Sequence, residues 1–424
     1  MFGFANALLL ALFAAAGIDL VLALRRKAVG RLFTVPHYLF GDWGGEARAR
    51  WGQRAFLLAL MLYEFTVVFC NSMARQNWAW VQGVMSPVLE WLAFLCFGAK
   101  ILFGTRYTWR ELLAGGALYF IARWVYFNSQ NIWWIGIVVA VLAAKDVPLR
   151  RPLQVYFASG CAAMAVVLAL HFAGIVAPDL TSERMGALRG TYGYGHPNTF
   201  GGLVFGLVLA YALLRAQKVR WVDCLLVFAV GVFLLVGPAS RSAALCTLAL
   251  AVGLVFCRLR AGHSVPRWWP GTCAGMVGLT AAVSYLLPLL VIKVGPWNND
   301  IGPAWLAKLD SLLTCRISLT WMAYRLLDVK IAGQVFNWPT VDNSFAFALF
   351  QFGPVVAALL GILFAAALLG HAKQGRRVEV CCLFAMLAYA YMEVQPFHLT
   401  TNPTALLLCG AVFAQTSARW QKIE

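Results

Sequence analysis

Residues 224–257 read CLLVFAVGVFLLVGPASRSAALCTLALAVGLVFC, two apolar runs joined by a short connection in which Arg241 is the only charge. Similar runs recur along the whole chain, in which hydrophobic residues make up 62% of the 424 positions and charged residues only 12%. Charged residues make up about twice that share of a typical soluble protein. The sequence therefore predicts an all-α polytopic membrane protein, with a single transmembrane domain over residues 1–424.

The basic residues indicate how the chain crosses the bilayer. The net charge of +17 would suit a nucleic-acid-binding protein, but the basic residues cluster in the short gaps between apolar runs. The positive-inside rule places such gaps in the cytoplasm, so we expect the lipid bilayer, and no nucleic acid, as the partner. These basic gaps alternate with gaps that contain fewer Lys and Arg residues. This alternation predicts about thirteen helices, with the N-terminus outside and the C-terminus inside. The basic gaps lie within 25–54, 100–110, 145–151, 215–220, 258–267, 373–377 and 419–422.

Two outer connections in this topology are long, whereas the others are short. The first covers residues 176–196, and the second, a long late loop, covers residues 293–343. These loops carry most of the external polar residues. Chemistry on a membrane bundle needs polar groups, so we expect the functional site on the outer face.

Several common catalytic motifs are absent from the sequence. It contains no P-loop, no D-x-D for a metal-bound nucleotide sugar, no H-E-x-x-H and no G-x-S-x-G. Most cysteines fall within predicted spans, where they behave as small hydrophobic residues, and none has a metal-ligand spacing. We therefore expect no cofactor and no metal, and an enzyme of this kind would use a substrate that arrives already activated.

The first polar motif is RGTYGYGHPNTFGG at residues 189–202. Pro197 suits the first turn of a helix, which places His196 near the N-cap. The glycines permit tight turns or close backbone contacts. We expect Arg189 and His196 to approach one another at the outer surface, with Tyr194 and Asn198 as supporting polar residues.

Other polar groups follow the same outer face. Arg241 begins the predicted ninth helix, Arg316 lies in the motif LDSLLTCR of the long loop, and Glu393 ends the twelfth helix. Asp342 and Asn343 directly precede the eleventh helix. Both residue types are good N-caps, so capping alone would explain one of them.

Helices seven, nine and eleven run inward in this topology, so their positive dipole ends face outside. Together with Arg189, Arg241 and Arg316 they would form an anion site at the membrane boundary. A lipid-linked diphosphate is an anion found at that depth, and arginine can bind its oxygens bidentately. The alternative is that Arg241 snorkels or is paired internally.

At these residues the sequence resembles the bacterial polysaccharide polymerases of the Wzy type, within the O-antigen ligase and polymerase superfamily. The matching pieces are RGTYGYGHPNTFGG, SRS, LDSLLTCRI, VDNSFAFALFQFGP and a late Y-x-E, in this order. The resemblance covers about residues 50–418, although specific motifs occupy a small part of that range.

The resemblance implies a GT-C-like membrane glycosyltransferase. Such enzymes polymerise oligosaccharide repeat units carried on polyprenyl diphosphate, outside the bacterial plasma (inner) membrane. The donor and the acceptor are both lipid-linked, and a chain-length regulator and a flippase are candidate partners. The arginines would bind the diphosphate, and a base would deprotonate the acceptor hydroxyl.

One departure from the superfamily bears on the chemistry. Ligases carry a His-Asn pair where the long loop re-enters the membrane, whereas this chain has Asp342-Asn343. The difference favours a polymerase over a ligase and leaves Asp342, Glu393 and His196 as candidates for the base. Asp342 has the alternative roles of orienting an arginine or capping a helix, and His196 that of anchoring its loop. A flippase for the same lipid-linked units is the alternative from another functional class.

Overall fold

A computed structural model describes residues 2–25, 29–41, 44–176, 182–184, 187–291 and 303–413. The described chain is mostly helical, and its strands form two small antiparallel pairs. The first pair is β1 (His37–Tyr38) with β2 (Arg106–Tyr107), and the second is β3 (Ser182–Arg184) with β4 (Ala187–Arg189). The all-α membrane architecture predicted from the apolar runs is confirmed at this level.

The first half of the chain contains eight α-helices and one π-helical turn. They are α1 (Phe2–Arg25), α2 (Val29–Thr34), α3 (Gly45–Cys70), α4 (Ala74–Asn77), the π-turn Val81–Met85, α5 (Ser86–Phe103), α6 (Trp109–Ser129), α7 (Ile132–Ala143) and α8 (Arg150–Phe172).

The second half contains ten α-helices with several 3-10 and π-helical turns between them. The α-helices are α9 (Pro197–Leu214), α10 (Trp221–Val236), α11 (Arg241–Leu259), α12 (Trp269–Leu286), α13 (Ala304–Leu312), α14 (Arg316–Leu326), α15 (Ser344–Phe347), α16 (Pro354–Lys373), α17 (Arg377–Met392) and α18 (Cys409–Val412). The other turns are Leu287–Leu290, Ala348–Phe352, Gln395–Phe397, Leu399–Thr401 and Pro403–Leu408.

Eight helices in the described part of the chain are long and apolar enough to cross a membrane. They are α1, α3, the π-turn with α5, α8, α9, α11, α12 with its 3-10 turn, and α16. Other predicted spans correspond to α6, α7, α10, α17 and the segment Pro403–Val412. Because several of these are shorter, as in α7 with 12 residues, the count of thirteen stays a prediction.

Helix α9 is the most enclosed of these eight spans. Its residues are 72% buried inside the protein, against 22% for α12 and for α16. It contacts α8, α11 and α17, and the 3-10 turns at Leu399–Thr401 and Pro403–Leu408 pack against it. The motif at residues 189–202 therefore leads into the centre of the bundle, and not to its lipid-facing edge.

The two predicted outer loops are only partly described. In the first, β3 and β4 form a hairpin, while residues 177–181 and 185–186 lie outside the described residues. In the second, α13 and α14 fold against the bundle, while residues 292–302 lie outside the described residues. Val291, Leu306 and Ile317 form a small apolar core there.

The predicted eleventh span does not begin directly after Asn343. The chain first makes α15 and a π-helical turn, and Gly353 then interrupts the helix with φ of 88° before α16 begins. A Cβ atom at Gly353 would lie 2.1 Å from the carbonyl oxygen of Ile331, so the late loop packs directly against this break. The prediction of one helix over this region was wrong because a tertiary contact outweighs the continuous apolar pattern.

Candidate active site

Glu393 lies at the centre of a polar cluster at one end of the bundle. It is the first residue after α17, it is buried, and its Oε1 atom accepts three hydrogen bonds. The donors are Nη2 of Arg316 at 2.6 Å, Oγ of Ser242 at 2.8 Å and Nδ2 of Asn198 at 3.0 Å. These donors belong to the first turns of α14, α11 and α9. The carboxylate therefore lies near the positive ends of three helix dipoles.

Arg316 uses its whole guanidinium group within the protein. Nη2 donates to Glu393 and, at 3.3 Å, to Oγ of Ser242. The remaining acceptors are the carbonyl of Met392, the carbonyl of Leu313 at 2.9 Å and Oγ1 of Thr314 at 3.0 Å. The side chain is only 8% exposed. In this arrangement Arg316 ties the late loop to the end of α17.

Asp310 explains why α14 begins at Arg316. Its Oδ1 accepts hydrogen bonds from the backbone N–H groups of Ile317 at 2.8 Å and Ser318 at 3.1 Å. Its Oδ2 accepts from Oγ of Ser318 at 2.8 Å. Asp310 is fully buried, so it caps the helix from a distance in sequence. The motif LDSLLTCR thereby holds Arg316 in a fixed direction.

Asn198 connects Arg189 to Glu393. Nη2 of Arg189 donates to Oδ1 of Asn198 at 3.0 Å and to the carbonyl of Ala239 at 3.2 Å. The amide nitrogen of Asn198 then donates to Glu393, and Oγ of Ser240 donates to Oδ1 of Asn198 at 3.4 Å. Arg189 is buried and thus belongs to the same network as Arg316.

His196 is the N-cap of α9, as the sequence predicted, and Pro197 is the first helical residue. Nδ1 of His196 accepts a hydrogen bond from the backbone N–H of Asn198 at 3.1 Å, while the side chain is exposed. Tyr194, expected as a supporting polar residue, is instead fully buried, and its ring packs 5.7 Å from that of Phe200. Both residues fix the start of α9 and so the position of Asn198.

Two glycines of the same motif permit this close assembly. A Cβ atom at Gly201 would lie 2.3 Å from Oγ of Ser240, and one at Gly202 would lie 1.8 Å from Oε1 of Gln395. Gln395 donates to the carbonyl of Asn198 at 3.2 Å and accepts from Tyr389 at 3.1 Å. The close backbone contact expected from these glycines is therefore present.

Asn343, and not Asp342, caps α15. Oδ1 of Asn343 accepts from the N–H groups of Phe345 at 2.9 Å and Ala346 at 3.1 Å. Oγ of Ser344 donates to the backbone carbonyl of Glu393 at 2.5 Å, which brings this segment to the cluster. Asp342 is half-buried and near enough to act electrostatically on Glu393. The capping role left open for Asp342 thus belongs to its neighbour.

Arg241 is the first residue of α11 and is exposed. The residues on either side of it, Ser240 and Ser242, are buried and bond to Asn198 and Glu393. Arg241 therefore lies at the rim of the cluster, whereas Arg189 and Arg316 lie within it.

The electrostatic environment of Glu393 is mixed. Burial raises the pKa of its carboxyl group to about 7, and the nearby Asp342 carboxylate adds to that rise, while Arg316 and Ser242 oppose it. Within the described ranges, no three His, Cys, Asp or Glu side chains come together to hold a metal ion.

Sequence reasoning gave no role to Ser242, Asp310 or Gln395. Ser242 directly follows Arg241 in the motif SRS, and Asp310 lies six residues before Arg316 in the motif LDSLLTCR. In both motifs, the sequence signal was a small polar residue close to an arginine. Gln395 carried no such signal, since its partners lie in α9 and α17.

Comparison of the chain with protein-family models, curated proteins and solved structures gives no significant match.

Proposed function

We propose that this protein is a membrane glycosyltransferase of the Wzy type. It polymerises polyprenyl-diphosphate-linked oligosaccharide repeat units on the outer face of the bacterial plasma membrane, without a metal ion. The observation that carries this proposal is the convergence on Glu393 of separate polar motifs. Asn198, Ser242, Arg316 and Ser344 come from four different helices, and all bond to this one residue.

The reaction is a displacement at the anomeric carbon of the donor glycan. The acceptor hydroxyl oxygen forms a bond to that carbon, while the bond from the carbon to the diphosphate oxygen breaks. The diphosphate leaves with the electron pair, and the hydroxyl proton passes to a base. Stabilisation of the departing charge and removal of this proton are the two tasks of the protein.

Arg241 fits the first task best. It is exposed at the start of α11, where the helix dipole favours an anion. A guanidinium group can bind two phosphate oxygens at once. Arg189 is buried within the cluster and contributes by holding Asn198 in place through a hydrogen bond. Arg316 already bonds to Glu393 and to backbone carbonyls, so its role is to position the cluster.

Asp342 fits the second task best among the three candidates. Glu393 accepts three hydrogen bonds at one oxygen, and His196 uses Nδ1 to cap α9. The half-buried Asp342 carboxylate makes no hydrogen bond within the described part of the chain. Its partial exposure leaves the carboxylate open to an acceptor hydroxyl, which suits a group that must take up a proton.

An apolar cavity beside the cluster supports a lipid-linked substrate. It has a volume of about 80 Å³ and lies among α12, α15, α16 and α17. Ser344, which bonds to Glu393, lines the cavity together with Phe345, Gly361 and Leu387. A cavity of this size would hold only a short part of a polyprenyl chain, with its diphosphate next to the cluster.

The test is incubation of the purified protein with lipid-linked repeat units, with and without a chelator. A ladder of glycans that persists in chelator supports the proposal. Transfer to a terminal acceptor alone would indicate a ligase. Movement of fluorescent lipid-linked oligosaccharide across vesicles without any ladder would indicate a flippase.

A further inference from the structure

A second large polar feature lies at the opposite end of the bundle from Glu393. It is a cavity of about 820 Å³ formed where α9 and α11 end and where α8 and α17 begin. Because α9 has 18 residues, about 27 Å of helix separates this cavity from the Glu393 cluster. It is therefore independent of the function proposed above.

The cavity is strongly basic. Six cationic side chains line it, against the single carboxylate of Glu379. The six are Arg150, Arg215, Lys218, Arg258, Arg376 and Arg377. Like charges in one concave site repel each other and together create a field that favours an anion.

Two of the six cations already have protein partners. Arg377 donates to the backbone carbonyls of Arg260 and His263, and Nε of Arg215 lies 3.2 Å from the carboxylate of Asp223. These contacts fix the wall of the cavity. The other four side chains therefore supply the positive charge in the cavity that has no protein partner among the described residues.

The remaining cations, Arg150, Lys218, Arg258 and Arg376, make no side-chain hydrogen bond or ion pair with any residue that the structure describes. His371 also lines the cavity, and its buried Nδ1 has no hydrogen-bond partner among the described residues. Side-chain donors at the start of α8, after α9, at the end of α11 and before α17 thus line one space in which Glu379 supplies the single carboxylate.

We propose that this cavity binds a phosphate-bearing anion. Its volume lies within the range of about 300–1,000 Å³ that is typical of ligand sites. Arginine matches the geometry of phosphate oxygens, and basic pockets between membrane helices bind lipid headgroups through this chemistry. The phosphate can come from an anionic membrane lipid or from a soluble diphosphate.

The experiment measures binding to the purified full-length protein in detergent. Its probes are cardiolipin, zwitterionic phosphatidylethanolamine and inorganic pyrophosphate, and its readouts are thermal unfolding and native mass spectrometry. We expect cardiolipin or pyrophosphate to raise the unfolding temperature, whereas phosphatidylethanolamine does not. A shift with cardiolipin alone identifies a lipid as the source, and a shift with pyrophosphate identifies a soluble ligand.

Arg258→Gln combined with Arg376→Gln tests the site itself. Binding should weaken about fivefold for each arginine removed. Arg54→Gln combined with Arg267→Gln is the matched control, because both arginines are exposed and neither lines the cavity. Equal binding by the two double variants would overturn the proposal, as would the absence of any shift in the unmodified protein.

Discussion

The Oε1 atom of Glu393 lies 2.6 Å from Nη2 of Arg316, so a buried ion pair joins the end of α17 to the start of α14. The two residues are 77 positions apart in the chain. Helix α14 belongs to the late loop, whereas α17 belongs to the bundle. This pair therefore determines where the late loop rests on the membrane-embedded part of the protein.

The first prediction concerns stability. Above about pH 7, where the Glu393 carboxyl group is ionised, Arg316→Ala leaves this buried carboxylate without its cation, so we expect a loss of about 3–5 kcal/mol. The double variant Arg316→Ala with Glu393→Gln should lose less than the sum of the two single variants, because the second change removes the isolated charge. Thermal unfolding in detergent measures both. Arg325→Ala, at the exposed end of α14, is the control, and a similar effect from that change would contradict the prediction.

The second prediction concerns diphosphate recognition by Arg241. Arg241→Lys keeps the charge and loses the planar fork, so glycan ladder formation should fall about a hundredfold. Because Arg241 is exposed, the unfolding temperature should not change. Arg220→Lys, at the exposed start of α10, should remain active. Normal polymerisation by Arg241→Lys would remove this arginine from the mechanism.

The third prediction separates the neighbours Asp342 and Asn343. Asp342→Asn removes the proposed base and should lower the rate about a hundredfold or more at unchanged stability. Asn343→Ala removes the cap of α15 and should cost about 1 kcal/mol of stability. Rates and unfolding temperatures of both variants should be compared. Full activity of Asp342→Asn would show that the base lies elsewhere.

The fourth prediction concerns pH. The pKa of Glu393 in the folded protein is about 7, above its ordinary value of 4.5. The folded state therefore retains a proton that the unfolded chain releases, so this group's contribution to stability is present below about pH 4.5 and is lost as pH rises through about 7. Glu393→Gln should lack this loss. The unfolding temperatures of the unmodified protein and of Glu393→Gln should be measured across this pH range. If both depend on pH in the same way, the prediction is wrong.

The fifth prediction concerns the apolar cavity. A side chain at Gly361 of α16 would extend into open space, since nothing lies within 4 Å of a Cβ atom there. Gly361→Leu should therefore fold and narrow the cavity, raising the KM for lipid-linked substrate on the order of tenfold. Gly370→Leu is the matched control. Gly370 lies on the same helix but does not line the cavity, and nothing lies within 4 Å of a Cβ atom there either. Equal KM values for the two variants would argue against a lipid chain at this place.

Much of the architecture could be predicted from local patterns. Apolar runs such as 224–238 and 242–257 correspond to α10 and α11, because a run without charges needs an apolar environment wherever it lies. The start of α9 at Pro197 with His196 as its cap was also correct, since capping depends only on adjacent residues. The sequence by itself thus determined the membrane class, most helices and the positions of the polar motifs.

Only the tertiary structure decided which of these polar groups meet. It placed Arg316 on Glu393, Arg189 on Asn198 and the cap of α15 on Asn343, and it broke the predicted eleventh span at Gly353. None of these outcomes follows from hydropathy, because each depends on hydrogen bonds or contacts between segments far apart in the chain. A buried carboxylate accepts hydrogen bonds from the donors that lie within about 3 Å of it. The packing of the helices determines which donors these are.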